Sequence, residues 1–139
     1  MKKLLAIIIL GLLLSGKAYA FCIFNCKTIF KDCYNQSSYT SKKDTVFDEH
    51  TFEIDKDNKN IVRTMVWNDE DRKAIEKIDK KEIPKVSQEN LKIISIGDKY
   101  ISAKYNNDGS KYVFNLSEKT IEKTVRLSSG DTQLKMICK

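Results

Sequence analysis

A chain of 139 residues holds one domain-sized core, and its 25 Lys and Arg against 19 Asp and Glu give a formal charge of +6. The signs are interspersed, with no Lys/Arg cluster and no aromatic-basic alternation, which argues against a nucleic-acid partner despite the basic balance. A single histidine and five glycines leave little material for a Ser-His or Cys-His mechanism or for a phosphate-cradling loop.

Met1 to Ala20 reads as a cleavable secretory signal peptide. Lys2 and Lys3 open it, an apolar run extends from Leu4 to Leu14, and Ala18 and Ala20 supply the small residues that signal peptidase accepts. Eleven apolar residues span about 16 Å at 1.5 Å each, about half the hydrocarbon core, too short for an anchor. Leu14-Ser15-Gly16 is followed by Lys17 where a lipoprotein has cysteine. Cleavage at Ala20 removes three lysines and leaves 119 residues, 22 basic against 19 acidic, or +3. No stable membrane anchor then remains, and the expected location is periplasmic or secreted.

Cys22, Cys26, Cys33 and Cys138 all lie in the mature chain, and an even number of cysteines in a small exported domain argues for disulfides. Their spacing is not a usual zinc pattern, so no metal or other cofactor is expected. Between Phe21 and Tyr34 the apolar and charged residues recur with helical spacing. Within a straight helix Cys26 and Cys33 would lie about 10.5 Å apart, beyond bridging range. The pairing expected is therefore Cys22 with Cys26, across an irregular start, and Cys33 with Cys138. Asn35 to Asp44 is polar and reads as a surface connection, which divides the chain into a signal peptide (1–20), a Cys-bearing segment and linker (21–44) and a β domain (45–139).

The β domain opens with a hairpin: Phe52 and Ile54 alternate with polar residues, Lys56 to Asn60 offers turn chemistry, and Ile61 to Trp67 is rich in β-branched and large apolar residues. Val62, Thr64 and Val66 compete with Ile61, Met65 and Trp67 for its inner face. Asn68 to Lys81 is a helix capped by Asn68, with acids in its first turn and lysines in its last. Asp69 with Lys73 and Glu76 with Lys80 are spaced for i,i+4 pairing. Only Ala74, Ile75 and Ile78 form its apolar side, so it belongs on the surface as a flap, and Pro84 marks its end. Leu91 to Ile96, Tyr100 to Tyr105, Lys111 to Leu116, Ile121 to Leu127 and Gln133 to Cys138 then read as strands joined by tight turns. The fold class is mainly β, an antiparallel meander of about seven strands forming a small barrel or bent sheet, with a short Cys-bearing segment and one surface helix.

His50, flanked by Asp48 and Glu49, reads as a solvated strand residue. Asp55 to Asn60 begins like a calcium loop but lacks its central glycine and terminal glutamate, so it is read as a turn. The acidic pairs Asp48-Glu49 and Asp69 to Asp71 are no more than the acid content makes ordinary, and no catalytic residue is assigned. Tyr100, Tyr105, Tyr112 and Phe114 sit on neighbouring strands and are candidates for lining a ligand cavity, with Trp67 at its mouth.

The Lys-Lys leader, the lysine-rich hairpins and the terminal Met136-Ile137-Cys138-Lys139 resemble the small, uncharacterised exported β-proteins common in AT-rich bacteria. That resemblance implies a β fold and export and carries no activity with it. The chain is also faintly similar to bacterial lysozyme inhibitors, whose serine-glycine loop enters the enzyme cleft. Ser129-Gly130 sits in a suitable turn, while Gln133 stands where a tyrosine is typical. The expectation is a non-enzymatic binding or interaction module whose partner is an envelope protein or a small ligand. The alternatives are an inhibitor of a secreted hydrolase such as lysozyme and, last, a carboxylate-dependent enzyme.

Overall fold

The computed structural model describes residues 27–36, 43–44 and 46–139; the leader, Cys22 and Cys26 lie outside them. Seven strands form an antiparallel meander: β4 (Phe47–Asp55), β5 (Asn60–Trp67), β6 (Val86–Ile96), β7 (Tyr100–Tyr105), β8 (Lys111–Asn115), β9 (Thr120–Leu127) and β10 (Gly130–Ile137). Before them come β1 (Thr28–Phe30), β2 (Tyr34–Gln36) and a two-residue β3 (Lys43–Asp44). All belong to one sheet, in the order β1-β4-β5-β6-β7-β8-β9-β10-β2-β3, curled into a half-barrel.

The strand count exceeds the expected seven because the segment from Thr28 to Gln36 is extended and not helical, and because the stretch from Asn35 to Asp44, expected to be a surface connection, pairs its two ends as β2 and β3. The first half of the Thr28 to Gln36 segment pairs with β4, placing Phe30 opposite Phe52, and its second half pairs with β10, placing Asn35 opposite Met136. Between the halves, Lys31 and Lys139 exchange backbone hydrogen bonds of 3.1 and 2.7 Å, and the Cys33 amide donates to the His50 carbonyl at 3.0 Å. One short stretch thus laces together both ends of the meander. An extended chain satisfies its backbone groups against two strand edges at once, which a helix here would leave exposed, and those edges outweigh the weak helical periodicity. The Cys33–Cys138 disulfide closes the same junction, as expected; the Cys22–Cys26 pairing falls outside the described residues.

Alternation sorts the side chains into two faces. Phe30, Phe52, Ile54, Ile61, Leu91, Ile101, Phe114 and Ile121 are fully buried on the inner face. Phe114 sits at its centre, with edge-on contacts to Phe30 and Phe52 at 5.6 and 5.4 Å between ring centroids. The competition within β5 is settled in favour of Ile61 and Met65, which are buried, while Val62 and Val66 are half-buried. Strand β6 begins five residues before the expected Leu91, because Val86 to Asn90 continues the pairing with β5 back to Val66. Its inner positions there, Ser87 and Glu89, are polar, so they carry no apolar signature.

Turn chemistry recurs in two of the hairpins. Asp55 accepts from the Asn58 amide and side chain, Asn115 accepts from the Ser117 and Glu118 amides, and each turn ends on a lysine with positive φ, Lys59 at 51° and Lys119 at 55°. The Asp55 loop, read as a turn, spends its carboxylate on Asn58, which holds that carboxylate below the ordinary Asp value.

The helix α1 spans Asp69–Asp79 and buries no residue, in keeping with a surface flap. Asn68 accepts from the Glu70 and Asp71 amides. Lys80, in the left-handed region at φ 52°, ends the helix four residues before Pro84. The expected lysine pairs do not form; Arg72 pairs instead with Glu76 at 3.0 Å and with Asp69 at 3.7 Å. Glu76 also accepts from the Ile83 amide, and Lys85 bonds both Asp48 and Asp69, tying the flap to the sheet. With its face unburied, the helix depends on its cap: Asn68→Ala is expected to cost about 1 kcal/mol, measured by urea unfolding, with hydrogen exchange accelerated over Asp69–Asp79.

Candidate functional site

Chemistry-bearing side chains gather in two places, one inside the curl and one on its outer face. Inside, cross-strand register sets Phe30, Phe52, Arg63 and Glu89 in one row over β1, β4, β5 and β6. Arg63 is in phase with the buried Ile61 and Met65, so its stem runs inward and its guanidinium must find partners there. Its Nε donates to His50 Nε2 at 2.8 Å, and its Nη1 donates to Glu89 Oε2 at 2.9 Å and to the Tyr112 hydroxyl at 3.4 Å. The guanidinium also lies 5.7 Å from the centre of the Phe52 ring. Only 12% of the Arg63 side chain is exposed.

His50 is not solvated, contrary to the expectation. At 5% exposure it packs between Phe47 and Phe52, with ring centroids 5.0 and 4.9 Å away. Burial, followed by the charge of Arg63, pushes its pKa down to about 3, against a backbone hydrogen bond at Cys33 that works the other way. With Nε2 accepting from Arg63, the ring proton sits on Nδ1. The informative signal was its period-two phase with Phe52 and Ile54, which the flanking acids masked.

The candidate aromatic cavity does not assemble as a cavity. Tyr112 and Phe114 are fully buried, and Phe114 is enclosed by other rings. Burial raises the Tyr112 phenol to about 12, so it is protonated at neutral pH. Tyr105 is half-buried with its hydroxyl accepting from Asn107, and Trp67 donates to Ser87 while its ring meets Phe47 edge-on at 4.7 Å. Tyr100 is exposed and lies on the opposite face. Lys123, opposite Tyr112 in the register, has its ammonium 5.3 Å from the ring centre, and burial with the nearby Arg63 lowers its pKa.

On the outer face the register produces a feature invisible in the linear order. Lys92 of β6 is opposite Lys104 of β7, and Lys104 is opposite Lys111 of β8. The same row continues to Asn60 and Asp55 on one side and to Thr124 and Gln133 on the other. A groove of about 490 Å³ opens at its end, lined by Lys104, Lys111, Thr124 and Arg126 with Asp108, Gly109 and Asp131. A smaller one of about 160 Å³ lies near Tyr100, Val113, Glu122 and Lys135. The statement that the sequence contains no Lys/Arg cluster holds along the chain and fails across the sheet.

The fold and these surfaces define a disulfide-closed antiparallel β protein with a packed interior and grooves on its outer face. No family profile, curated protein or solved structure matches the chain.

Proposed function

We propose that this is a small exported, non-enzymatic binding module that engages its partner through the outer face of β6 to β10. The observation that carries the reading is the placement of the grooves on the face that holds no core, while the aromatic residues of the inner face are spent on packing. Export is supported by the leader sequence and by the Cys33–Cys138 disulfide. A binding role in place of catalysis is supported by the state of the sole histidine. Its Nε2 is engaged by Arg63 and its pKa is far below neutrality, so it is not poised as a general base. The partner is an envelope protein or a small ligand reached after cleavage at Ala20.

A photo-crosslinking residue placed at Thr124, inside the larger groove, is expected to trap a partner in intact cells of the source organism. The same residue at Glu53, on the outer side of β4, is expected to trap little. Equal labelling at both positions would remove the outer-face reading, and a full-length chain with free thiols in the cytosol would remove export.

A hydrolase-inhibitor reading draws on one further observation. The Ser128 to Gly130 turn is exposed at the tip of the β9–β10 hairpin, beside the half-exposed Leu127, as a cleft-entering loop must be. Micromolar mature protein that leaves lysozyme turnover unchanged removes it.

A further inference from the structure

We infer that the lysine row Lys92–Lys104–Lys111 is a binding track for a linear phosphate polyanion. The inference rests on the outer-face reading above and gives its ligand a chemistry. Strands lie about 4.8 Å apart, so three ammonium stems are held side by side over roughly 10 Å. Like charges directly opposite one another destabilise a sheet, and no ion pair among the described residues relieves this arrangement. From Asn60 to Gln133 the row contains no acid; Asp55 follows beyond Asn60, two strands from Lys92, and its carboxylate accepts from Asn58. Among the described residues none of the three lysines has an ion pair, and all three are exposed.

Two carboxylates line the groove with Lys104 and Lys111, and each is engaged by another group. Asp131 faces Arg126 at 3.7 Å, and Asp108 accepts from the Ser110 amide at 2.8 Å. A repulsion that no ion pair offsets is relieved by an anion from outside. Lysines offer compact charges with rotatable donors and no fixed fork, which suits repeated phosphates in many orientations. The row follows the outer side of a curled sheet, so a flexible chain can drape along all three ammoniums, whereas a flat lipid surface meets them unequally. The ligand is therefore a soluble chain of phosphates and not a membrane.

Titration calorimetry of the mature, oxidised protein with inorganic tripolyphosphate tests this, with orthophosphate and anionic phospholipid vesicles as separate arms. Tripolyphosphate is expected to bind more tightly than orthophosphate and to weaken with added salt. The triple variant Lys92→Gln, Lys104→Gln, Lys111→Gln is expected to bind it roughly tenfold more weakly or worse. A control with the same charge loss elsewhere, Lys56→Gln, Lys73→Gln, Lys81→Gln, is expected to bind like the parent. The triple row variant is also expected to unfold at a urea concentration no lower than the parent, which shows that it folds and that the row is a burden on the free protein. Equal weakening in both triple variants overturns the track, as does binding to vesicles without binding to tripolyphosphate. Loss of tripolyphosphate binding alone, with crosslinking at Thr124 retained, overturns the polyanion and leaves the outer-face reading standing; loss of both overturns both.

Discussion

Cys33→Ser is expected to lower the unfolding free energy by about 4 to 5 kcal/mol, the chain-entropy value for a loop of about a hundred residues. The bridge joins positions 105 apart in sequence and closes nearly the whole described chain. Its loss also releases the junction where one segment pairs with both β4 and β10, so the two ends of the meander are no longer held in register. The unfolding midpoint in urea is the measurement, with Cys138→Ala as the companion variant and the reduced parent as a third sample. The two variants should fall together, and the reduced parent at least as far, since reduction also opens any Cys22–Cys26 bridge. A loss below about 1 kcal/mol in each would mean that the reciprocal Lys31–Lys139 bonds and the Phe30–Phe52 contact hold the junction without covalent help.

Acid is expected to destabilise the protein through His50 before the carboxylates titrate. The unfolded chain binds a proton on this histidine near pH 6.5, whereas the folded protein does so only near pH 3. Between those values the unfolded state holds the extra proton, so stability is complete above pH 6.5 and is lost as the pH falls. The limiting slope is about 1.4 kcal/mol per pH unit. From pH 6.5 to 5 the ordinary carboxylates remain ionised, and the chain has no second histidine, so the slope in that interval belongs to this residue. His50→Gln, which keeps an acceptor for Arg63, should flatten the profile there. Arg63→Met removes a cation beside the ring, so its folded pKa should rise and the acid loss should level off at a higher pH. A parent protein equally stable at pH 5 and pH 7 would contradict the buried, neutral imidazole.

The seven-strand meander and the surface helix were legible in the linear sequence because their signals are local. Alternation in Phe52 to Ile54, turn residues at Lys56 to Asn60, Asn106 to Ser110 and Ser128 to Gly130, and Asn68 before an acidic first turn each act within a few residues. The long bridge from Cys33 to Cys138 was legible from cysteine arithmetic combined with reach. Val86 to Asn90 was missed because the inner positions of that stretch are polar and are satisfied by Trp67 and Arg63, which belong to another strand. The N-terminal segment was misjudged because its conformation is decided by two edges far along the chain. Arg63 and Glu89 are not legible for the same reason, since a half-buried ion pair has no signature until its members are brought opposite each other.

What the sequence determines by itself is therefore the set of short-range elements and the residues available to form disulfides. What only the tertiary structure decides is everything that depends on strand register. Register gives His50 its dry, neutral state beside Arg63, turns candidate cavity aromatics into core, and sets three lysines that are 12 and 7 residues apart in sequence shoulder to shoulder. The physical reason is that hydrogen-bond ladders in a sheet juxtapose side chains across the chain's own direction. Burial and charge then act on neighbours that linear order keeps apart.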